Sequence, residues 1–145
     1  MEDIEDIPDL HCVYVRVHLN FVSSKDSKPK ATAFSNTPKD GDNLSCDWCK
    51  YSSAESSRKL IGSQKKKDGS FKDSSDFYIW KFNVAKLRID AVPKQNVKHD
   101  PVCNTPPDEF IPNNIAHSII IGDKPINNAE FRISLLKIGQ WAIAP

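Results

Sequence analysis

Alternation of apolar and polar residues near the start of the chain restricts the fold more than any other feature. Valine occupies every second position from 13 to 17, and Tyr14, Arg16 and His18 fill the even positions. Side chains of a strand alternate between its two faces, so the valines should cover a core while the even residues face the other way. The range 10–22 therefore predicts a strand in a sheet that has one apolar and one polar face.

Other segments indicate further strands and two helices. Strand-like segments occur at 44–48, 77–84, 95–99 and 117–121. Of these, 77–84 is rich in aromatic and β-branched residues on both faces, which predicts a strand covered on both sides. Ser53 is expected to cap a short helix at about 54–61, and Asn127 or Asn128 a last helix at about 128–142. We therefore expect an α+β domain, a small mixed or antiparallel sheet covered by the C-terminal helix and one short helix.

Polar and proline-rich segments separate these elements. Long polar loops are expected at 23–43, pinned at Phe34, at 63–76 and at 101–115. The segment 85–90 fits either a helical turn or a strand. Residues 1–9 are acidic and predict a loose tail, so the domain organisation expected is a tail at 1–9 and a single domain at 10–145.

Composition and charge bear on the function class. The chain of 145 residues has a net charge of +1, from 20 basic and 19 acidic side chains. This balance gives no support to a nucleic-acid partner, and no apolar run approaches the ~20 residues that span a bilayer. The N-terminus is acidic where a signal peptide would be basic, and four cysteines without such a signal favour reduced thiols. We therefore expect a cytoplasmic protein that needs no membrane and whose partner is another protein.

Several short motifs follow one another along the chain. They are Arg16-Val17-His18, Ala33-Phe34, Leu44-Ser45-Cys46-Asp47-Trp48, Lys50-Tyr51-Ser52-Ser53, His99-Asp100-Pro101, Asn114-Ile115-Ala116-His117 and a final Trp141-Ala142-Ile143-Ala144-Pro145. In this order they resemble a family of small uncharacterised bacterial proteins with Leu-Ser-x-Asp, His-Asp-Pro-like and Asn-x-Ala-His motifs. The resemblance implies a single bacterial domain and carries no activity. It also implies that positions 46 and 49 are usually not cysteine.

Cys46 and Cys49 have the spacing of a zinc knuckle or a redox pair. Zinc would need His99 and Cys103 to complete four ligands, and about fifty residues separate the two halves. No helix is expected to start at Cys46, which removes the usual means of activating a redox thiol. We expect ordinary reduced cysteines, no metal and no cofactor, with the four residues named here as the ligands if zinc is present.

Arginine and histidine supply the candidate catalytic residues. Two histidines can act as general base and general acid on a phosphodiester while an arginine holds the anion. The candidates are Arg16, His18, His99 and His117. The alternative is that each histidine has a structural hydrogen bond, and convergence of the four in one cleft would decide between the two.

The Leu-Ser-x-Asp segment supplies a candidate ligand site. Ser45, Asp47 and Trp48 could bind a ribose or an incoming peptide, although Ser and Asp in such a segment more often satisfy local backbone groups. Phosphate loops, dinucleotide fingerprints, nucleophile elbows and zincin helices do not occur. Two functions stay open. One is an accessory or partner-binding protein, and the other is a small hydrolase or transferase acting on a phosphodiester or nucleotide.

Overall fold

A computed structural model describes residues 3–37 and 41–145 of the chain. Residues 1, 2 and 38–40, which belong to the expected tail and the expected loop 23–43, lie outside the described residues. The regular elements are β1 Cys12–His18, β2 Leu44–Trp48, α1 Ala54–Leu60, β3 Phe77–Asn83, α2 Val84–Ile89, β4 Asn96–His99, β5 His117–Ile121, α3 Ala129–Lys137 and β6 Gly139–Ile143. Short 3₁₀ turns lie between some of them.

The six strands of the described chain form one open antiparallel sheet in the order β4-β5-β2-β1-β3-β6. With three α-helices beside the sheet, the fold is α+β, as the sequence predicts. β1 lies in the centre and pairs with β3 along its whole length, from Cys12 opposite Asn83 to His18 opposite Phe77. Its other neighbour is β2, and there the pairing is limited to Val13 with Trp48 and Tyr14 with Asp47.

One face of the sheet, here called the core face, carries the main apolar cluster. Val13, Val15 and Val17 are almost completely buried, whereas the residues between them are partly exposed, so the predicted alternation is confirmed. Helices α2 and α3 add further apolar side chains to this cluster. Phe34 is fully buried with its ring 5.4 Å from that of Phe82, which confirms that the loop 23–43 is pinned there. Each fully buried side chain of this size stabilises the fold by about 1.5–3 kcal/mol.

The opposite face, here called the α1 face, carries Tyr14, Arg16 and His18 and is covered in part by α1. Ser53 caps this helix by accepting a hydrogen bond from the backbone N–H of Ser56 at 3.1 Å, as expected. Ile79 is fully buried on this side, so β3 is covered on both faces, as its sequence predicts. The α1 face therefore combines polar side chains with a local apolar cover.

The end of the chain differs from the expectation of one helix at 128–142. Asn128 caps α3 as predicted, with its side chain accepting from the N–H of Glu130, but the helix ends at Lys137 and β6 follows. Gly139 permits the change, because a β-carbon there would lie 2.2 Å from Nε1 of Trp80. β6 then pairs with the edge of β3, and the ring of Trp141 meets that of Trp80 edge-on at 5.1 Å. Backbone pairing of an open sheet edge outweighs the helical pattern of these residues.

Within the expected tail 1–9, the described residues 3–9 are anchored to the domain, although their acidity predicts a loose segment. Ile7 is 4% exposed and belongs to the main cluster. The backbone N–H of Glu5 donates to Nδ1 of His99 at 3.1 Å, and Nη1 of Arg88 donates to the carbonyl of Ile7 at 2.8 Å. One apolar residue and its neighbouring backbone bonds anchor the segment, despite its charge.

The other two predicted loops, 63–76 and 101–115, contain no α-helix or strand. The range 101–115 has no regular element apart from an isolated bridge between Val102 and Asn114. The range 63–76 folds back on itself through a bridge between Lys65 and Phe71. The segment 85–90, which fits helix or strand by sequence, is helical. Among residues 3–37 and 41–145, none of the helices has both the length and the apolar character that crossing a bilayer requires.

Candidate functional site

The antiparallel register places most of the predicted site residues on the α1 face. Tyr14 lies opposite Asp47, and Asp47 lies opposite His117 on the next strand. Arg16 and His18 follow Tyr14 at intervals of two and share its face. Three of the four candidate catalytic residues therefore lie on one side of the sheet.

His99 lies on the other side. It is opposite Ser118, which is opposite Cys46 of the main cluster. The ring is 3% exposed, its Nδ1 accepts from Glu5, and its Nε2 lies 2.7 Å from the carbonyl oxygen of Ile115. Because a carbonyl oxygen can only accept, Nε2 carries the proton and both ring nitrogens are used. His99 therefore holds the N-terminal segment in place and does not meet the other three candidates.

Asp47 is the centre of a buried polar network that the sequence did not reveal. It is 2% exposed, and its Oδ2 accepts from Nη2 of Arg16 at 2.8 Å and from Oγ of Ser57 at 2.5 Å. Its Oδ1 accepts from Nδ2 of Asn114 at 2.7 Å. The carboxylate thus joins β1, β2, α1 and the proline-rich segment, and with three donors it satisfies the rule that a buried charge must be paired.

Arg16 is held by the same network but keeps one edge available. Its Nε donates to the carbonyl of Ser57 at 2.9 Å, and Nη2 is used by Asp47. Nη1 meets no acceptor among the residues that the structure describes, and 19% of the side chain is exposed. A guanidinium fixed on one edge and open on the other is suited to binding a carbonyl or carboxylate oxygen.

His18 and His117 have different surroundings although they share a face. Nδ1 of His18 accepts from the N–H of Asn20 at 3.1 Å, and its ring meets Phe77 edge-on at 5.0 Å. His117 is buried, with Nδ1 2.7 Å from the carbonyl oxygen of Asp100. His117 thus has a hydrogen bond of the structural kind considered for each histidine. The bond occupies Nδ1 and orients the ring.

Two clefts open on either side of Arg16. The first has a volume of about 410 Å³ and is lined by Tyr14, His18 and the segment 32–37 among others. The second, of about 180 Å³, lies between α1 and the proline-rich segment and includes His117. Arg16, Ser45 and Phe77 line both, so the two clefts meet at these residues.

Separation of β1 from β2 creates this opening. Tyr14 pairs with Asp47, and two residues further along the same register Arg16 would lie opposite Ser45. That pair does not form between the described strands, because β1 and β2 diverge beyond Tyr14. Burial, followed by the Cys12 thiol, raises the pKa of Tyr14 to about 12, so its phenol stays protonated at the base of the first cleft.

Of the candidate ligand residues, only Ser45 is accessible to a ligand. Trp48 is 1% exposed, and its Nε1 donates to Nδ1 of His11 at 2.9 Å. Asp47 is buried under its donors. Ser57, Asn114 and Phe77 complete the site and were not identified as site residues from sequence. Asn114 belongs to the Asn-x-Ala-His motif, but its contact with Asp47 depends on the fold.

The Cys-x-x-Cys pair does not form a site. Cys46 lies in β2 and is buried in the main cluster, whereas Cys49 follows the strand, is half-buried and lies beside Cys12, whose backbone N–H donates to its Sγ. Residues separated by three along an extended chain point in opposite directions. Cys103 is exposed in the proline-rich segment, and the described residues contain no group of three or more His, Cys, Asp or Glu side chains that could hold a metal ion.

Comparison of the chain with protein-family models, with curated protein sequences and with solved structures finds no match. The resemblance to small bacterial proteins through short motifs therefore stays a hypothesis. What the chain does has to be inferred from its own residues.

Proposed function

We propose that this chain is a partner-binding protein that has no catalytic role and receives an extended segment of another protein between β1 and β2. The observation that carries the proposal is the missing pair between Arg16 and Ser45, with a cleft in its place. Two strands that diverge in the middle of a sheet leave backbone groups that an added strand can pair with.

The direction of these backbone groups follows from neighbouring bonds. The N–H of Cys49 donates to the carbonyl of Cys12 at 3.0 Å, so Cys12 directs its backbone groups toward β2. Backbone direction alternates along a strand, so Tyr14, Arg16 and His18 also direct theirs toward β2. By the same argument Ser45 directs its N–H and carbonyl toward β1, because Cys49 does. The gap is thus bordered by backbone donors and acceptors on both sides.

Side chains around the gap favour a particular kind of segment. Phe21, Phe77 and Leu44 line the first cleft and provide contact for apolar side chains. Nη1 of Arg16 and Ser45 provide polar contacts at the point where the two clefts meet. We therefore expect an extended peptide with apolar residues and one acidic residue, or a terminal carboxylate, for Arg16.

The hydrolase alternative is less well supported. General acid–base chemistry on a phosphodiester needs two histidines in reach of one substrate. His99 is on the core face, and His18 and His117 line different clefts, so neither cleft contains two of the candidate histidines.

The first test needs no known partner. Hydrogen exchange followed by NMR should find fast exchange for the amides of Arg16 and Ser45, and slow exchange for those of Tyr14 and Asp47, which are paired. Equal protection at all four amides would show that the gap is closed and would end the proposal.

The second test identifies the segment. A random-peptide library selected on the folded protein should yield sequences that shift the Arg16 and Ser45 resonances and slow their exchange. Ser45→Pro removes the N–H directed into the gap and should abolish peptide binding, whereas Ser45→Ala should keep it. Selected peptides that bind equally well to Ser45→Pro, or whose shifts lie on another surface, would refute insertion at this gap.

A further inference from the structure

Cys12 and Cys49 are partners across β1 and β2. The register that pairs Val13 with Trp48 brings Cys12 opposite Cys49 one step earlier. The backbone confirms this, because the N–H of Cys49 donates to the carbonyl of Cys12 at 3.0 Å and the N–H of Cys12 donates to Sγ of Cys49 at 3.2 Å. The two thiols therefore lie side by side.

Both thiols are partly accessible to small molecules. Both cysteines are half-buried, in contrast to Cys46, which is 3% exposed. Burial, followed by contact with the Cys49 thiol, raises the pKa of Cys12. Nearby Lys81, which lies opposite Tyr14 on β3, opposes that rise by its charge.

The spacing of directly opposed residues permits a disulfide. Opposed residues that share a backbone hydrogen bond have Cα atoms about 5.5 Å apart, within the range of about 4.4–6.8 Å found in disulfides. Their Cβ atoms are about 4.5–5.5 Å apart, slightly more than the usual disulfide separation of about 3.5–4.5 Å. Closure therefore needs a small local shift, and a bond formed in this way is easily reduced again.

We propose that Cys12 and Cys49 form a reversible dithiol switch, which closes into a cross-strand disulfide by exchange with a small-molecule disulfide such as oxidised glutathione. The thiolate of one cysteine attacks a sulfur of glutathione disulfide, forms a mixed disulfide and releases one glutathione thiolate. The thiolate of the second cysteine attacks the protein sulfur of that mixed disulfide and releases the second glutathione thiolate. Two protein thiols are oxidised, one small disulfide is reduced, and the two protons pass to the released glutathione.

The proposed disulfide would add a covalent link at the short junction between β1 and β2. Only two residue pairs join these strands in the described chain, and the cysteine pair stands at the end away from the gap. A disulfide there closes a long loop of chain, so the oxidised protein should be more resistant to unfolding than the reduced protein. This inference is independent of the proposed function, since it requires no partner.

The test uses the folded full-length chain in glutathione buffers of increasing oxidised fraction. After acid quenching, the intact mass should be lower than that of the reduced protein by two hydrogens, and alkylation of the unfolded sample should add two alkyl groups fewer than it adds to the reduced protein. Dithiothreitol should reverse both changes. Digestion on the amino side of aspartate separates Cys46 from Cys49, because Asp47 lies between them, and the linked fragments should contain Cys12 and Cys49.

Matched variants complete the test. Cys103→Ser should form the linked product as wild type does, whereas Cys12→Ser and Cys49→Ser should form none and should instead carry glutathione on the remaining partner. Circular dichroism of each variant establishes that it is folded. A link between Cys46 and Cys49, or glutathione on Cys103 alone while Cys12 and Cys49 stay alkylated in the most oxidising buffer, would overturn the proposal.

Discussion

The carboxylate of Asp47 holds the two sides of the strand gap together, and its replacement has a calculable effect. Asp47→Asn keeps the shape of the side chain but removes the charge that pairs with Arg16, whose side chain is only 19% exposed. The new amide also presents N–H groups to Ser57 or Asn114, which are themselves donors to this position.

The expected cost follows from the burial of the pair. Removal of one partner of a buried ion pair costs about 3–5 kcal/mol, because the other charge is left without compensation. For a chain of this size, a loss of 1 kcal/mol lowers Tm by about 2–4 °C. We therefore expect Asp47→Asn to lower Tm by about 6–20 °C in a thermal melt followed by circular dichroism.

A matched control is provided by an exposed pair in the same protein. Oε1 of Glu109 lies 3.1 Å from Nζ of Lys65, and the Glu109 side chain is 65% exposed. Glu109→Gln removes the same charge from a solvated position and should cost less than about 1 kcal/mol.

A double variant then isolates the uncompensated charge. Arg16→Met with Asp47→Leu removes both members of the pair, and it should be more stable than Asp47→Asn if the unpaired guanidinium is the main cost. Asp47→Asn melting within error of Glu109→Gln would refute the reasoning, since Asp47 would then not be the buried centre of the network.

Three further predictions follow from other residues. His117→Ala should lower the free energy of unfolding by about 1–3 kcal/mol in denaturant melts, because it removes a buried ring and its hydrogen bond with the carbonyl of Asp100. His18→Ala should cost much less, and equal losses would contradict this. Burial lowers the pKa of Lys124 to about 8 from 10.5, so between these pH values the unfolded chain binds a proton that the folded protein does not. The free energy of unfolding should therefore rise with pH across that window relative to Lys124→Met, and parallel curves would contradict the assignment. Limited trypsin digestion should cut first near 65–67, at the exposed turn of the segment 63–76; a first cut elsewhere would show that this turn is docked.

The parts of the fold that could be predicted from sequence are those that depend on patterns among neighbouring residues. The alternation around Arg16 and the aromatic content of 77–84 report directly on strands, since each depends only on neighbouring residues. The C-terminal strand was missed because its residues also fit the apolar stripe of α3. What decides its conformation is the open edge of β3 and the close approach of Gly139 to Trp80, and both arise only after the sheet has formed.

The residues of the candidate site could likewise be placed from sequence only where local spacing decides their position. Arg16 and His18 could be placed on one face from their spacing. The separation of His99 from His117 depends on which strands are neighbours, and the pairing of Asp47 with Asn114 joins residues 67 positions apart. The Cys46–Cys49 pair illustrates the reverse case, in which a familiar spacing loses its meaning because the local chain is extended.

The limited contact between β1 and β2 makes the sheet two half-sheets with a narrow junction. One half contains β1, β3 and β6, and the other contains β2, β5 and β4. The chain passes from one half to the other at nearly every connection, so no continuous stretch of sequence contains one complete half without a strand of the other. Neither half can therefore form before most of the chain has been synthesised, and folding requires contacts between distant residues from its first steps. Cutting the chain at any connection between β2 and β5 separates strands of both halves, so the two halves depend on each other for completion.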